Sequence, residues 1–326
     1  RGAAMNLVPE LSVIVPTYNR SAVLVLCVQA LCRQTCDSSR FEIVVSDDGS
    51  QDDTAAAVAT LAAQSSIAIR YLHQANAGAN RARNRAIAVA RGRLLLFIND
   101  DTLAQPQMLA EHLQEHAQQP DERVAVLGRM TVSPGLPPSR LAPLHLDRAF
   151  VGLQDGAVLD WRAFFTCNVS VKRSLLDRGG LFEERLRYHE DLELAWRLSA
   201  HGLRVVYRSQ ALGWHEHFLA EDEFLAIAAR EARALCTWAQ LAPQARPVLA
   251  SLGFEPALPW PRRLRHRVLG AVINRHTEGL WRWLARTLPQ QPAALRRLTL
   301  ALYDQLYQSR KREALRDTLQ QAAKHA

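Results

Sequence analysis

No stretch of the 326-residue chain approaches the roughly 18 uninterrupted apolar residues that a membrane-spanning helix needs. Cysteine is scarce. The five thiols are odd in number and have no CxxC spacing, which argues against both a disulfide framework and a structural zinc site. Cys27, Cys32 and Cys36 fall near one another in a predicted helix and turn, and packed, reduced thiols are expected there. Internal repeats and low-complexity tracts are missing too. No secretory apolar segment follows Met5, and the four residues ahead of it read as a cloning remnant, so a cytoplasmic protein is expected. With 48% of its residues hydrophobic, the chain can bury a core and is not disordered. Its length suits one large α/β domain and a smaller appendage.

The formal charge of +8 is unevenly placed. Between Arg262 and Lys324, fourteen basic residues face four acidic ones, enough to supply the whole excess. A basic tail suits an anionic surface, whether phospholipid, an anionic acceptor or nucleic acid.

Short β-branched runs predict strands over 11–15, 41–45, 67–72, 94–98 and 124–130. Helical spacing fills the intervals at 22–32, 54–63, 79–90 and 107–117, with Asp52 and Asp53 capping the second. This alternation implies right-handed crossovers and a mostly parallel sheet. The run at 94–98 is apolar throughout and should be a central strand. Residues 131–160 hold four prolines and read as an irregular, lid-like segment over one edge. A strand at 169–172, helices at 174–178 and 191–201, and a last strand at 203–207 complete the domain, followed by His215 and His217. From Glu221 the pattern is helical. Leu264, Val268, Leu269, Val272, Ile273, Leu280, Trp283 and Leu284 fit one helical face, and leucines from Leu295 to Leu319 fit another.

Several polar motifs end these strands, where ligands bind in open α/β sheets. Asp100 and Asp101 follow the central strand. Adjacent carboxylates repel unless a cation neutralises them, and oxygen ligands suit Mg²⁺ or Mn²⁺. A carboxylate of Asp47-Asp48-Gly49-Ser50 can accept the N3–H of a uracil or thymine. Beside it, Pro16-Thr17-Tyr18 offers an aromatic ring to the face of a base and backbone groups to its edge. Asn76, Gly78 and Arg83 open a helix whose N-terminus favours anions such as a diphosphate. Glu190 and Asp191 start another helix, and one of them can act as a general base on an acceptor hydroxyl. His215 and His217 are expected to point apart, so that at most one reaches a cation, and His215 is preferred.

With these residues in hand, the chain resembles the family 2 glycosyltransferases over about residues 11–217. The resemblance rests on the ordered set Val13-Ile-Val-Pro-Thr-Tyr-Asn-Arg20, Val44-Val-Ser-Asp-Asp-Gly-Ser50, Asn76-Ala-Gly78 with Ala82-Arg-Asn84, Phe97-Ile-Asn-Asp-Asp101 and Glu190-Asp191. It implies a GT-A fold, a Rossmann-like mixed, mostly parallel sheet flanked by helices, as a catalytic domain over 5–220. A basic α-helical C-terminal region would follow over 221–326. By the same resemblance Thr17, Tyr18 and Asp48 hold the nucleotide base and Arg83 lies near the nucleotide. Asp100 meets the ribose and donor sugar, Asp101 and His215 bind the metal, and Asp191, with Glu190 beside it, is the base. Asn168 lies in a segment beside the donor sugar, with Cys167 where glycine is more usual. Asn99 departs from the family pattern, since an acid is usual there.

The implied activity is inverting transfer of a sugar, from a UDP-sugar by preference, to an acceptor hydroxyl with Mn²⁺ or Mg²⁺. The acceptor class covers glycans, lipid-linked molecules and small molecules, and nucleic acid is not an expected partner. The alternatives are a nucleotidyltransferase, which usually has a glycine-rich loop after its first strand, and a nucleotide-sugar-binding scaffold without catalysis. The tail is expected to be a helical cap, with peripheral contact to an anionic membrane surface as an addition.

Overall fold

Strand β1 (Leu11–Thr17) is buried at every position, because it lies between β2 (Phe41–Asp47) and β4 (Leu94–Ile98) and has apolar side chains on both faces. The computed structural model describes residues 8–324, so the expected remnant and Met5 lie outside the described residues. Helix α1 (Ser21–Cys32) returns the chain to β2, α2 (Thr54–Gln64) to β3 (Ala68–His73), and α3 (Ala79–Val89) to β4. Asp52 sets the first turn of α2, accepting from Thr54 Oγ1 at 2.5 Å and Thr54 N at 3.2 Å. These four strands are parallel, in the order β3-β2-β1-β4. Pro16 sits beyond the last β1–β4 pair, Ile14 with Phe97, where its missing N–H breaks no bond to β4.

A three-residue strand that sequence spacing missed, β5 (Thr102–Ala104), follows the acid pair, and α4 (Met108–Gln118) and β6 (Val124–Val132) come next. The segment expected to be irregular contains the single turn α5 (Ala142–His145) and the two-residue strand β7 (Val158–Leu159). Then come β8 (Asn168–Lys172), α6 (Arg173–Gly179), α7 (Glu190–Ser199) and β9 (Arg204–His215). The sheet continues β4-β8-β6-β9-β5, with β8 antiparallel to β4 and β6, and β9 parallel to β6. Strand β9 outruns its expected end by eight residues, because a register shift at Gly128/Arg129 lets it stay paired with β6 as far as His215. His215 is therefore the last residue of a strand rather than part of a loop beyond one.

The helical region holds α8 (Glu221–Leu241), α9 (Arg246–Ser251), α10 (Trp260–Val272), α11 (Glu278–Thr287) and α12 (Ala293–Lys324). The apolar face expected across 264–284 is split between two helices. Between them Asn274 Oδ1 accepts from His276 N at 2.9 Å and Thr277 N at 3.3 Å, a side-chain turn that competes with helix. Much of that face also points outward: Leu264, Val268, Val272, Leu280 and Trp283 are each at least half exposed, whereas Ile273 is buried. By contrast Leu306 and Leu315 of α12 are buried. Among the described residues no helix is long and apolar enough to cross a membrane, and all five cysteines are free thiols.

The chain separates into two compact units. One comprises residues 1–137, 149–184 and 190–217 and contains the sheet. The other comprises 138–148, 185–189 and 218–326, and its core joins Leu141, Phe224, Leu225, Ile273, Tyr303 and Leu306.

Candidate active site

The turn after β4 gathers the acids. Thr102 N donates to Asn99 O at 3.1 Å, closing a turn that holds Asp100 and Asp101 between β4 and β5. The register of β5 against β9 sets Thr102 opposite His215, and Glu216 N donates to Asp101 O at 2.8 Å. His215 Nε2 thereby comes to 3.6 Å from Asp101 Oδ1. From the end of β1, Thr17 Oγ1 donates to Asp100 Oδ2 at 2.8 Å. Arg20, one turn further on, spans the pair: its Nη1 lies 2.7 Å from Asp100 Oδ1 and its Nη2 2.8 Å from Asp101 Oδ2. Burial pushes Asp100 up to about 6, against the pull of Arg20 and with a further push from Asp101. Sequence reading missed Arg20 as a site residue. The signal was present, since an arginine three residues past a strand end is the nearest cation to two carboxylates at the end of the neighbouring strand.

The donor set suits a hard divalent ion. Asp101 Oδ1 is buried with no hydrogen-bond partner among the described residues, and it faces the imidazole of His215. One carboxylate and one imidazole leave coordination positions for phosphate oxygens and water, as Mg²⁺ and Mn²⁺ commonly require. Among the described residues no group of three or more His, Cys, Asp or Glu side chains forms a complete cage.

Asp48, at the end of β2, is buried and holds the loop before α3. Its Oδ1 accepts from Gln74 Nε2 at 2.7 Å and Ala77 N at 2.8 Å, and its Oδ2 from Gly78 N at 2.7 Å. Gly49 makes this possible: its φ is +92° and a Cβ there would stand 2.8 Å from Asn76 N. Asp48 N donates to Thr17 O at 2.9 Å, which ties the loop to the end of β1. Tyr18 is 45% exposed, its ring available to a ligand. Asp47 is spent locally, accepting from Ser50 N at 2.8 Å and from the Tyr71 hydroxyl.

Arg83 and Glu190 are brought together. Arg83 is buried, and its Nη1 donates to Glu190 Oε1 at 2.9 Å and Asn80 Oδ1 at 3.0 Å, with Phe182 5.6 Å from the guanidinium. The guanidinium is thus held by a carboxylate. Asp191, the second residue of α7, is half-buried, and its Oδ1 accepts from Leu192 N at 2.8 Å. The Cys167 thiol is pushed up to about 12 by burial first, then by the charges of Asp191 and Asp101.

Asn168 and the histidine pair complete the set of expected residues. Asn168 is wholly buried: its Oδ1 pairs with His112 Nε2 at 2.9 Å, and its Nδ2 donates to Ala211 O at 2.8 Å and Arg129 O at 3.2 Å. Each polar atom of that amide thus has a partner on α4, β6 or β9. The rings of His215 and His217 lie 5.7 Å apart rather than pointing away from each other, because residues two apart on extended chain share a face.

The sheet order, with acids at its strand ends, is that of an open α/β sheet of the GT-A type. The chain belongs to glycosyl transferase family 2, whose model matches residues 12–179. Among similar proteins, validoxylamine A glucosyltransferase of Streptomyces hygroscopicus subsp. jinggangensis is 32% identical over 241 residues, covering 64% of this chain and 56% of that protein. The chain thus spans about half the length of the curated relatives it matches. The uncharacterized glycosyltransferase YibD of Escherichia coli is 40% identical over 104 residues, 32% of this chain and 29% of that one. In fold, the chain is similar to the mannosyltransferase PcManGT of Pyrobaculum calidifontis, solved with GDP-Man and Mn²⁺ (TM-score 0.63, 20% identity, covering 95% of this chain and 87% of that one). It is similar also to S. aureus TarS 1-349 solved with UDP (TM-score 0.54, 18% identity, 95% and 91%).

Proposed function

We propose that the protein transfers a sugar from a nucleotide-sugar donor, a UDP-sugar by preference, to an acceptor hydroxyl with inversion at the anomeric carbon. The observation that carries this reading is the convergence of Thr17, Arg20, Asp100, Asp101 and His215 at the ends of three strands. Asp48 supports the choice of base. Its carboxylate already accepts three hydrogen bonds, and a carboxylate has about four acceptor positions, which leaves one for an imide N–H. The exposed ring of Tyr18 can cover the face of that base and the backbone of Pro16 and Thr17 can meet its edge, while Asn76 and Gly78 lie in the loop that Asp48 holds.

Asp101 and His215 would hold a Mn²⁺ or Mg²⁺ ion, which when bound supplies positive charge to offset the leaving diphosphate. Glu190 is held by Arg83, so the base role falls to Asp191. Its carboxylate takes the proton of the acceptor hydroxyl as that oxygen forms its bond to the anomeric carbon. The bond from that carbon to the diphosphate oxygen breaks with its electron pair on the diphosphate. Asp100, held by Thr17 and Arg20, orients the ribose and donor sugar. The acceptor is a glycan, a lipid-linked molecule or a small molecule with a free hydroxyl.

The test is release of UDP from UDP-sugars with Mn²⁺ present, in wild type and Asp191→Asn. The variant should lose turnover by roughly 10²-fold or more while UDP affinity, read by calorimetry, stays unchanged. Wild-type turnover in Asp191→Asn would remove that residue from the chemistry.

A further inference from the structure

Helix α10 carries Trp260, Leu264, Val268 and Val272, each four residues from the last, at exposures of 68, 50, 60 and 50%. At 100° per residue these four side chains span an arc of about 120°, one continuous strip along the helix. A strip this apolar is unusual on a soluble surface and marks a binding face. The helix has no acidic residue. Arg263 and Arg267 stand one position before Leu264 and Val268 and so flank the strip, and neither has an ion-pair partner among the described residues. The same two arginines line a cleft of about 520 Å³ with Arg316, Gly270 and Leu319. Its one carboxylate, Glu255, lies 3.7 Å from Arg316. On the next helix Leu280 and Trp283 are also more than 60% exposed.

We propose that this face of α10 docks on an anionic phospholipid bilayer, with the apolar strip entering the acyl boundary and Arg263, Arg267 and Arg316 meeting lipid phosphates. Charge decides the occupant. A second copy of this chain placed on the strip would set unpaired arginines against arginines. A bilayer rich in acidic lipid instead offers apolar depth and negative charge to the two halves of one face. The tryptophan at the start of the helix suits the headgroup level, where an amphipathic ring has one side dry and one side wet. The arginine stems add apolar cover while their guanidinium groups stay at the phosphates. This inference concerns the helical unit alone and does not depend on the sugar-transfer chemistry.

The experiment is co-sedimentation of the full chain with vesicles of phosphatidylglycerol mixed with phosphatidylcholine, and with vesicles of phosphatidylcholine alone. Wild type should pellet with the acidic vesicles at low salt and remain in solution with the neutral ones. The double variant Leu264→Gln/Val268→Gln should bind about tenfold more weakly or less, since both side chains lose their burial in lipid. Arg263→Gln/Arg267→Gln should also weaken binding and flatten its salt dependence. All four positions are exposed, so circular dichroism melts and UDP affinity should match wild type. Equal binding to both vesicle types would overturn the proposal, as would wild-type binding by the apolar double variant. So would a dimer in analytical ultracentrifugation that Leu264→Gln/Val268→Gln splits, because a second copy would then own the face.

Discussion

Arg83 and Glu190 form an ion pair of 2.9 Å between residues 107 apart in sequence, with 6% and 18% of their side chains exposed. Removing one partner strands a buried charge, so Arg83→Met should destabilise the protein by roughly 3 kcal/mol. Removing both charges relieves it. The double variant Arg83→Met/Glu190→Gln should be more stable than Arg83→Met alone, by urea titration of both. Equal stability of the single and double variants would mean that the pair is not coupled.

The guanidinium of Arg20 and a divalent ion want the same two carboxylates. Arg20→Met should therefore lower the melting temperature without added metal, through repulsion between Asp100 and Asp101. Mn²⁺ should then raise the melting temperature of the variant by more than it raises that of wild type, since the ion no longer displaces a cation. Each ~1 kcal/mol of added stabilisation should appear as roughly 2–4 °C in a thermal scan. Equal Mn²⁺ shifts in the two proteins would show that Arg20 does not compete.

His112 is fully buried between Ser170 and Asn168, at 2.8 and 2.9 Å. Burial lowers it to about 4, although the bond to Asn168 pulls the other way. Its neutral form is favoured in the fold, whereas the unfolded chain protonates near the ordinary value of about 6.5. Stability is therefore full above that value and is lost as pH falls from about 6.5 through 4, by roughly 3 kcal/mol. In His112→Gln this acid limb should flatten in denaturant midpoints measured between the two values. An unchanged slope would move the titration elsewhere.

The parallel half of the fold was legible because its strands are apolar throughout and its helices alternate with them at regular length. Strands β1 and β4 and helices α1 and α3 fall within two residues of their expected bounds. What the pattern could not show was β5, whose three residues are too few for any periodicity, and with it the pairing that sets Thr102 opposite His215. The candidate site was readable as residue types and only partly as partners. Asp100, Asp101 and Asp48 stood out by their place at strand ends. That Asp48 is a loop clamp, that Arg83 answers Glu190, and that Asn168 serves the sheet are tertiary facts between residues 26 to 107 positions apart. No local spacing encodes them. In the tail the leucine spacing was read correctly as helical, yet it says nothing of which face meets solvent, and Leu264 and Val268 face it.

The helical unit draws on three separate stretches of chain, 138–148, 185–189 and 218–326. It is thus not a cassette. A fragment starting at residue 218 would lack Leu141 from its core and the His189 imidazole that meets Glu231 at 3.0 Å. Recombining this region with that of a homologue requires three grafts in concert. A single crossover there would inherit a helical core from two parents that had never been selected to fit one another.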